Sequence, residues 1–356
     1  MRILVTGGAG FIGSHIVDAL LAGGHEVRVL DALDPSVHRV APAYLDPRAE
    51  LIRGDVSDPA AVARAARGAD AVCHQAAKVG LGLEIADISA YVRDNCLGTA
   101  VLLAGLAAQD FSGRVVLASS MVVYGEGRYR CPSHGPTAAP PRSAADLAAG
   151  RFEPPCPRCG AALEPLAVPE AAAVDPRNIY AATKLHQEHL CFAFSRETGV
   201  PVTALRYHNV YGPRMPRDTP YSGVAAIFAS ALAAGRAPRV FEDGRQLRDF
   251  VHVRDVAHAN VLALTQAQPA VGAFNVASGT PRSVGEMALA LHGADGAAAG
   301  LSARPLPVIT GEYRLGDVRH VFASTERAAC ELDFIAREDF LAGIAEFARA
   351  PLRQAA

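Results

Sequence analysis

Short apolar runs alternate with longer helical patterns through most of this chain. Residues 3–5, 26–30, 50–53, 71–74 and 115–118 are brief, rich in Val, Ile, Leu and Ala, and bounded by glycine or polar positions. Each reads as a buried strand. Between and after them, residues 14–23, 90–108, 180–196 and 223–235 carry apolar residues at helical spacing. A further strand is expected at 273–276. Thr280-Pro281-Arg282-Ser283-Val284 then opens a helix carrying Glu286 and Leu289. Strand alternating with helix implies an α/β fold with a parallel sheet. No internal repeat or heptad is evident.

The first unit is the most informative. A strand at 3–5 runs into Gly7-Gly8-Ala9-Gly10-Phe11-Ile12-Gly13, then a helix, then a strand that ends at Asp31. In that order Gly7 permits a tight turn, Gly10 admits a pyrophosphate to the backbone, and Gly13 lets the helix sit close to the sheet. The helix N-terminus offers unpaired N–H groups to phosphate, and Phe11, Ile12 and Gly13 of the turn before it are cofactor candidates. Asp31 accepts the two ribose hydroxyls of an adenosine, and its charge opposes a 2'-phosphate, so NAD is favoured over NADP. Asp55, followed by Val56, stands where a carboxylate meets an adenine amino group. Asp58 before Pro59 reads as a helix N-cap. Ala76, after the fourth strand, is a small residue beside which a cofactor fits.

Composition adds bounds. The chain has 356 residues, 50% hydrophobic and 20% charged, with a formal net charge of -2. That is enough to bury a large core, and the balance favours neither nucleic acid nor an acidic membrane. No run reaches the ~18 apolar residues of a membrane helix. The N-terminus reads as a buried strand rather than a signal peptide, so a cytoplasmic setting is expected. Seven cysteines, at 73, 96, 131, 156, 159, 191 and 330, are too scattered for a disulfide scaffold.

A catalytic group follows from two distant stretches. The fifth strand ends in Ser119-Ser120, and Tyr180-Ala181-Ala182-Thr183-Lys184 opens a helix. Positions i and i+4 share a helix face, so Tyr180 and Lys184 point into one site. A tyrosine is too weak a base at neutral pH unless nearby positive charge favours its phenolate. Lys184 and a nicotinamide ring supply that charge, while Ser120 holds the substrate hydroxyl.

These pieces resemble the extended short-chain dehydrogenase/reductase group, the NAD-dependent nucleotide-sugar epimerases and dehydratases. The matching stretches are TGGAGFIG at 6–13, Asp31, Asp55, SSMVVYG at 119–125, YAATK at 180–184, LRYHNVYGPR at 205–214 and RDFVHVRDVA at 248–257. The resemblance implies a Rossmann-type domain over 1–207, to which parts of 238–277 return, and a nucleotide-sugar region mainly over 208–350. It makes Tyr180 the base, Lys184 its activator and holder of the nicotinamide ribose, Ser120 the catalytic hydroxyl and Asn95 a support. It places Asn209 and Arg248 at the substrate diphosphate and Arg314 and Asp317 as a second anchor. It also implies a homodimer built on the helices at 90–108 and 180–196.

The same resemblance bears on the reaction. The family's 4,6-dehydratases use an Asp-Glu pair just after the catalytic residue. Here those places hold Met121 and Val122, which transfer no proton. Epimerisation at C4 through a transient keto-sugar is therefore expected, with UDP-glucose or UDP-glucuronate as the leading substrate. Met121 beside the sugar is bulkier than usual and bears on which hexose fits. A decarboxylase or another keto-sugar-forming member is the alternative, and net NADH production would mark a dehydrogenase. His208 is read as packed between strand and loop, and His74, His252 and His258 as structural.

One segment does not belong to this pattern. Ser120 and Tyr180 are 60 positions apart, more than the family needs, so 130–175 is an insertion beside the site. It holds Cys131-Pro-Ser-His134 and Cys156-Pro-Arg-Cys159-Gly160, two short-spaced pairs separated by a proline-rich stretch. Three cysteines and one histidine suit a structural zinc knuckle, and the histidine argues against rubredoxin-like iron. A metal supplies free energy that so small a core lacks.

Overall fold

The computed structural model describes residues 1–35, 37–38, 42–80, 85–217, 223–294 and 305–354. Arg39 and the middle of the 292–307 segment lie outside them. The first half builds β1 (Arg2–Thr6), α1 (Phe11–Ala22), β2 (Glu26–Asp31), β3 (Glu50–Arg53), α2 (Pro59–Ala66), β4 (Ala71–His74), α3 (Ile88–Tyr91), α4 (Gly98–Ala107) and β5 (Arg114–Ser120). After the insertion come α6 (Ile179–Thr198), β9 (Val202–Tyr207), α8 (Val253–Thr265) and β14 (Gly272–Val276). Seven strands form one parallel sheet in the order β14-β9-β5-β4-β1-β2-β3. This is the doubly wound Rossmann arrangement, and the crevice where strand order reverses lies between β1 and β4.

Alternation along β1 shows why the strands are apolar on both faces. Ile3 and Val5 pack with Ile16, Leu20, Val256 and Phe274, under α1 and α8. Leu4 packs on the other face with Val62, Leu102, Leu106 and Cys191, under α2, α4 and α6. A parallel sheet covered by helices on both sides has no wet face to keep polar.

The expected helix at 90–108 is not one α-helix. Residues Val92–Leu97 form a π-turn between α3 and α4. Likewise α1 begins at Phe11, three residues before the expected 14, with Gly10 as its N-cap. That places residues 11–13 in the first turn, where amides have no intrahelical acceptor.

The segment expected to be an insertion forms β6 (Arg128–Cys131), β7 (Gly135–Thr137), α5 (Ala144–Ala148) and β8 (Glu164–Leu166). Its three strands pair antiparallel in the order β7-β6-β8. The C-terminal region contributes β10 (Asn209–Tyr211), β11 (Pro216–Arg217), α7 (Val224–Ala233), β12 (Arg239–Val240) and β13 (Leu247–His252). It continues with β15 (Pro281–Ser283), α9 (Val284–Gly293), β16 (Val308–Ile309), α10 (Glu326–Leu332), α11 (Phe340–Arg349) and β17 (Arg353–Gln354). Ser283 and Glu286 form a full capping box at the start of α9. A separate core of Tyr211, Phe228, Phe250, Met287, Leu291 and Phe347 holds this region together. Among the described residues no helix is long and apolar enough to cross a membrane.

Candidate active site

The glycine turn is as tight as its sequence requires. Gly7 has φ +68°, and a Cβ there would meet the Ala76 backbone nitrogen at 2.7 Å. A Cβ on Gly13 would meet the Gly7 carbonyl oxygen at 2.2 Å. Asp31, at the end of β2, accepts from the Ala9 amide at 3.0 Å and the Leu33 amide at 2.9 Å. Asp55 accepts from both the amide and hydroxyl of Ser57 at 2.8 Å, and Val56 is buried beside it. Asp58 caps α2 through the Ala60 amide. A cradle of first-turn amides over a close-packed turn, with a carboxylate at the next strand end, fits a dinucleotide.

The residues expected to be catalytic come together at the C-terminal end of β5. Asn178 caps α6 through the Ala181 amide at 2.8 Å, which fixes the turn carrying Tyr180. Burial pushes the Tyr180 phenol up to about 12; a hydrogen bond with Ser120 opposes that rise, and Tyr91 adds to it. The Tyr91 ring lies tilted against Tyr180 with centroids 6.2 Å apart. Lys184 is 3% exposed and donates to the Ala118 carbonyl at 2.9 Å. Burial pulls its ammonium down to about 8. Ser120, Tyr180 and Lys184 thus meet in one place.

Asn95 sits in the π-turn and is fully buried. Its side-chain oxygen accepts from the Lys78 amide at 2.7 Å. Its amide donates to the Lys78 carbonyl at 3.0 Å and to Thr183 Oγ1 at 2.9 Å. Thr183 in turn donates to the Tyr180 carbonyl at 2.9 Å. A second polar chain joins Thr6, His74, Thr99 and Gln187 at 2.7 to 2.9 Å. Burial drives His74 down to about 3, so the ring is neutral and structural. These threonines and Gln187 escaped sequence reasoning; Thr183 had a signal, since it lies inside the Tyr-to-Lys stretch.

The substrate side is polar and partly unsatisfied. Asn209 Oδ1 and both ring nitrogens of His208 are buried without a partner in hydrogen-bond geometry. His208, just past the end of β9, lies near Asn275, Asp249 and Arg248, and Arg206 pairs with Glu188 at 2.7 Å. Arg248 donates to the carbonyls of Leu247, Val318 and Arg319 at 2.7 to 2.9 Å. Asp317 lies within charge reach of Arg314, Arg248 and Arg142, and burial raises its pKa against their pull. Arg314 is exposed and stacks over Phe241 at 5.1 Å. Met121 packs with Val123, Tyr124, Val168 and Val321. His252 is buried and caps α8 through the Arg254 amide at 3.3 Å.

In the insertion, the ligand atoms of Cys131, His134, Cys156 and Cys159 all lie within 4.8 Å of one another. Cys131 and Cys159 sulfurs are 3.7 Å apart, and His134 Nδ1 is 3.4 and 3.5 Å from the sulfurs of Cys131 and Cys156. A tetrahedron with metal–sulfur bonds of about 2.3 Å separates its ligands by roughly 3.7 Å. The donor set and its spacing fit a metal.

Comparison with known proteins adds the family context. The model of the NAD dependent epimerase/dehydratase family matches residues 3–146 and 161–277. The stretch between the two matched segments, 147–160, contains Cys156 and Cys159. A dTDP-L-rhamnose 4-epimerase of Burkholderia thailandensis is 35% identical over 343 residues, covering 93% of this chain and 87% of that protein. The structure of UDP-glucose 4-epimerase with UDP-glucose from Thermotoga maritima superposes with a TM-score of 0.78 at 26% identity, covering 98% of this chain and 97% of that one. The Thermus thermophilus UDP-glucose 4-epimerase complex with NAD gives 0.72 at 29% identity, covering 98% of each.

Proposed function

This chain belongs to the NAD dependent epimerase/dehydratase family, and from that premise we propose that it inverts C4 of a pyrimidine-nucleotide sugar. It is an NAD-dependent nucleotide-sugar enzyme of the epimerase type. The observation that carries the reading is the convergence of Ser120, Tyr180 and Lys184 where β5 meets α6, with apolar Met121 and Val122 next in the chain.

Bound NAD supplies the acceptor and donor for the C4 hydrogen. Tyr180 takes the proton of the 4-hydroxyl and returns it to the product. Ser120 holds that oxygen at the phenol, and Lys184 offsets the charge that burial makes costly. Asn95 and Thr183 hold the turn from which Tyr180 acts. Met121 and Val122 move no proton, so no water is lost across C5 and C6 and the keto-sugar turns over to present its other face. Unpaired Asn209 suits a polar diphosphate or sugar. Arg248 joins Asn209 at the diphosphate, and Arg314 and Asp317 make the second anchor. UDP-glucose and UDP-glucuronate remain our first substrates. The B. thailandensis relative brings dTDP-L-rhamnose forward as the competing one.

Purified protein should be offered all three, with sugar ring protons followed by NMR and NADH by absorbance. A C4 epimer without net NADH is expected from one of them. Net NADH, a decarboxylated sugar or loss of water would overturn the reading.

The Cys131, His134, Cys156 and Cys159 cluster supports a structural zinc, with all four ligands from protein and no open position for chemistry. Elemental analysis should find one zinc per chain; metal-free protein with intact thiols sinks this reading. Ile88, Val92 and Leu97 are 40%, 46% and 49% exposed on the segment preceding α4. Such a face supports a homodimer, which sedimentation tests. Reduced thiols and free NAD suit a cytoplasmic setting.

A further inference from the structure

We propose that the insertion is a positioning element for the substrate-side loop at 314–320, acting through Glu153 and Arg142. It rests on the epimerase reading for its kinetic arm and on the zinc reading for its metal arm.

Arg319 is fully buried, and its guanidinium is saturated by acids from two directions. Glu153, from the insertion, takes Nε at 2.9 Å and Nη2 at 2.6 Å. Glu242 and Asp243, from the C-terminal region, take the rest at 2.8 to 2.9 Å. Arg142, also from the insertion, pairs with Glu242 at 2.7 Å and donates to the Asp317 carbonyl. The second oxygen of Glu153 meets His320 Nε2 at 2.8 Å. His320 Nδ1 accepts the Leu247 amide at 3.0 Å, so Nε2 is the donor to Glu153. Behind the loop, Arg248 holds the carbonyls of Val318 and Arg319.

The loop is therefore gripped on both sides. One grip is Arg248, on β13. The other is the insertion. Between them lie Arg314 and Asp317, the anchor assigned to the substrate. Buried ion pairs contribute little net stability because desolvation offsets their attraction. What they fix well is geometry, since each charge tolerates few alternative partners. Glu153 precedes Cys156 by only three residues, and the Leu163 amide bonds the Pro154 carbonyl at 3.0 Å. Whatever holds Cys156 in place thus holds Glu153 as well.

The test compares wild type with Glu153→Gln, Glu153→Ala and Arg142→Met. UDP and dTDP serve as binding probes by calorimetry, and turnover is split into KM and kcat. Glu153→Ala and Arg142→Met should raise nucleotide Kd and sugar-nucleotide KM about tenfold, with kcat within about twofold and NAD content unchanged. Glu153→Gln, which retains a hydrogen-bond acceptor, should fall between. Amide exchange, which needs no ligand, should quicken at 314–321 and stay unchanged at 3–13. Unchanged exchange at 314–321, or KM, kcat and NAD content falling together, would overturn the positioning role. For the metal arm, stripping the metal with a chelator should reproduce the Glu153→Ala exchange pattern. If no metal is present but the variants behave as stated, the zinc reading fails and the clamp stands. If stripping the metal leaves 314–321 unaltered, the clamp does not depend on it.

Discussion

Lys184 reaches across from α6 to the Ala118 carbonyl on β5 at 2.9 Å, two residues before Ser120. One buried ammonium therefore joins the helix that carries the base to the strand that carries its hydroxyl partner. The contact satisfies a donor but leaves the charge in a poor solvent, which is why burial lowers its pKa to about 8.

That cost makes a stability prediction. A lysine whose folded pKa lies below its unfolded value near 10.5 destabilises the fold wherever it is charged. The penalty is full below about pH 8 and fades as pH rises toward 10.5. Lys184→Met should stabilise the cofactor-free protein at neutral pH by up to about 3 kcal/mol while abolishing turnover. Urea unfolding at neutral and alkaline pH checks it: the gain should shrink as pH rises.

Tyr180 makes the complementary claim. Burial places its phenol near 12, so the cofactor-free protein holds no base at neutral pH. A positive nicotinamide beside Lys184 favours the phenolate, and the shift expected from opposite charges is ~1–3 units downward. The near-UV phenolate band, wild type minus Tyr180→Phe, should appear at lower pH in NAD-loaded protein. In NAD-loaded Lys184→Met the band should move back up, and in wild type the acid limb of kcat should follow the band. Identical titrations with and without NAD would disprove this activation.

Asn95 is the support whose loss separates geometry from chemistry. Its amide spans Lys78 and Thr183, and Thr183 holds the Tyr180 carbonyl. Asn95→Leu removes the side-chain acceptor of the Lys78 amide and one donor to Thr183 in a buried site, at about 1–3 kcal/mol of stability. Turnover should fall by at least tenfold, while Asn95→Asp keeps the acceptor and loses less. Urea midpoints and kcat measured on both variants decide it.

What could be read from the sequence was local. Gly7 to Gly13, Asp31, and the Tyr180-to-Lys184 spacing announce themselves because partners lie within one turn or one βαβ unit. The π-turn at Asn95 did not, since the apolar pattern through 90–108 is continuous across it. The insertion's cysteines stood out, but its strands did not: Pro136 and Pro165 sit in β7 and β8, where proline usually marks a loop. Both are edge strands, the one place a sheet accepts proline. Arg319 and Glu153 are 166 residues apart, and only the tertiary fold pairs them.

Glu188 tests the core beneath the site. It pairs with Arg206 at 2.7 Å, both nearly buried, and holds the Ser119 hydroxyl. Removing one partner strands a buried charge, so Glu188→Ala should cost about 3–5 kcal/mol. Arg28 and Glu50 form an equally short pair, but with Glu50 60% exposed. Glu50→Ala should cost less than about 1 kcal/mol. Equal urea midpoints for the two variants would refute the distinction.

The glycine turn offers the sharpest separation of folding from cofactor binding. A methyl on Gly13 would lie 2.2 Å from the Gly7 carbonyl oxygen and 2.9 Å from the Gly8 Cα, so backbone must move. A methyl on Gly10 meets only the Gly7 oxygen, at 3.1 Å, and Gly10 has φ -71°, which alanine adopts freely. Gly13→Ala should therefore lose stability, by about 1–3 kcal/mol or more, and lose NAD with it. Gly10→Ala should keep its melting temperature within about 2 °C of wild type yet retain far less NAD, because its methyl stands where the pyrophosphate approaches. Melting curves and NAD content after gel filtration read both at once. Normal NAD content in Gly10→Ala would remove the phosphate from this turn, and an unchanged melting point in Gly13→Ala would remove the packing argument.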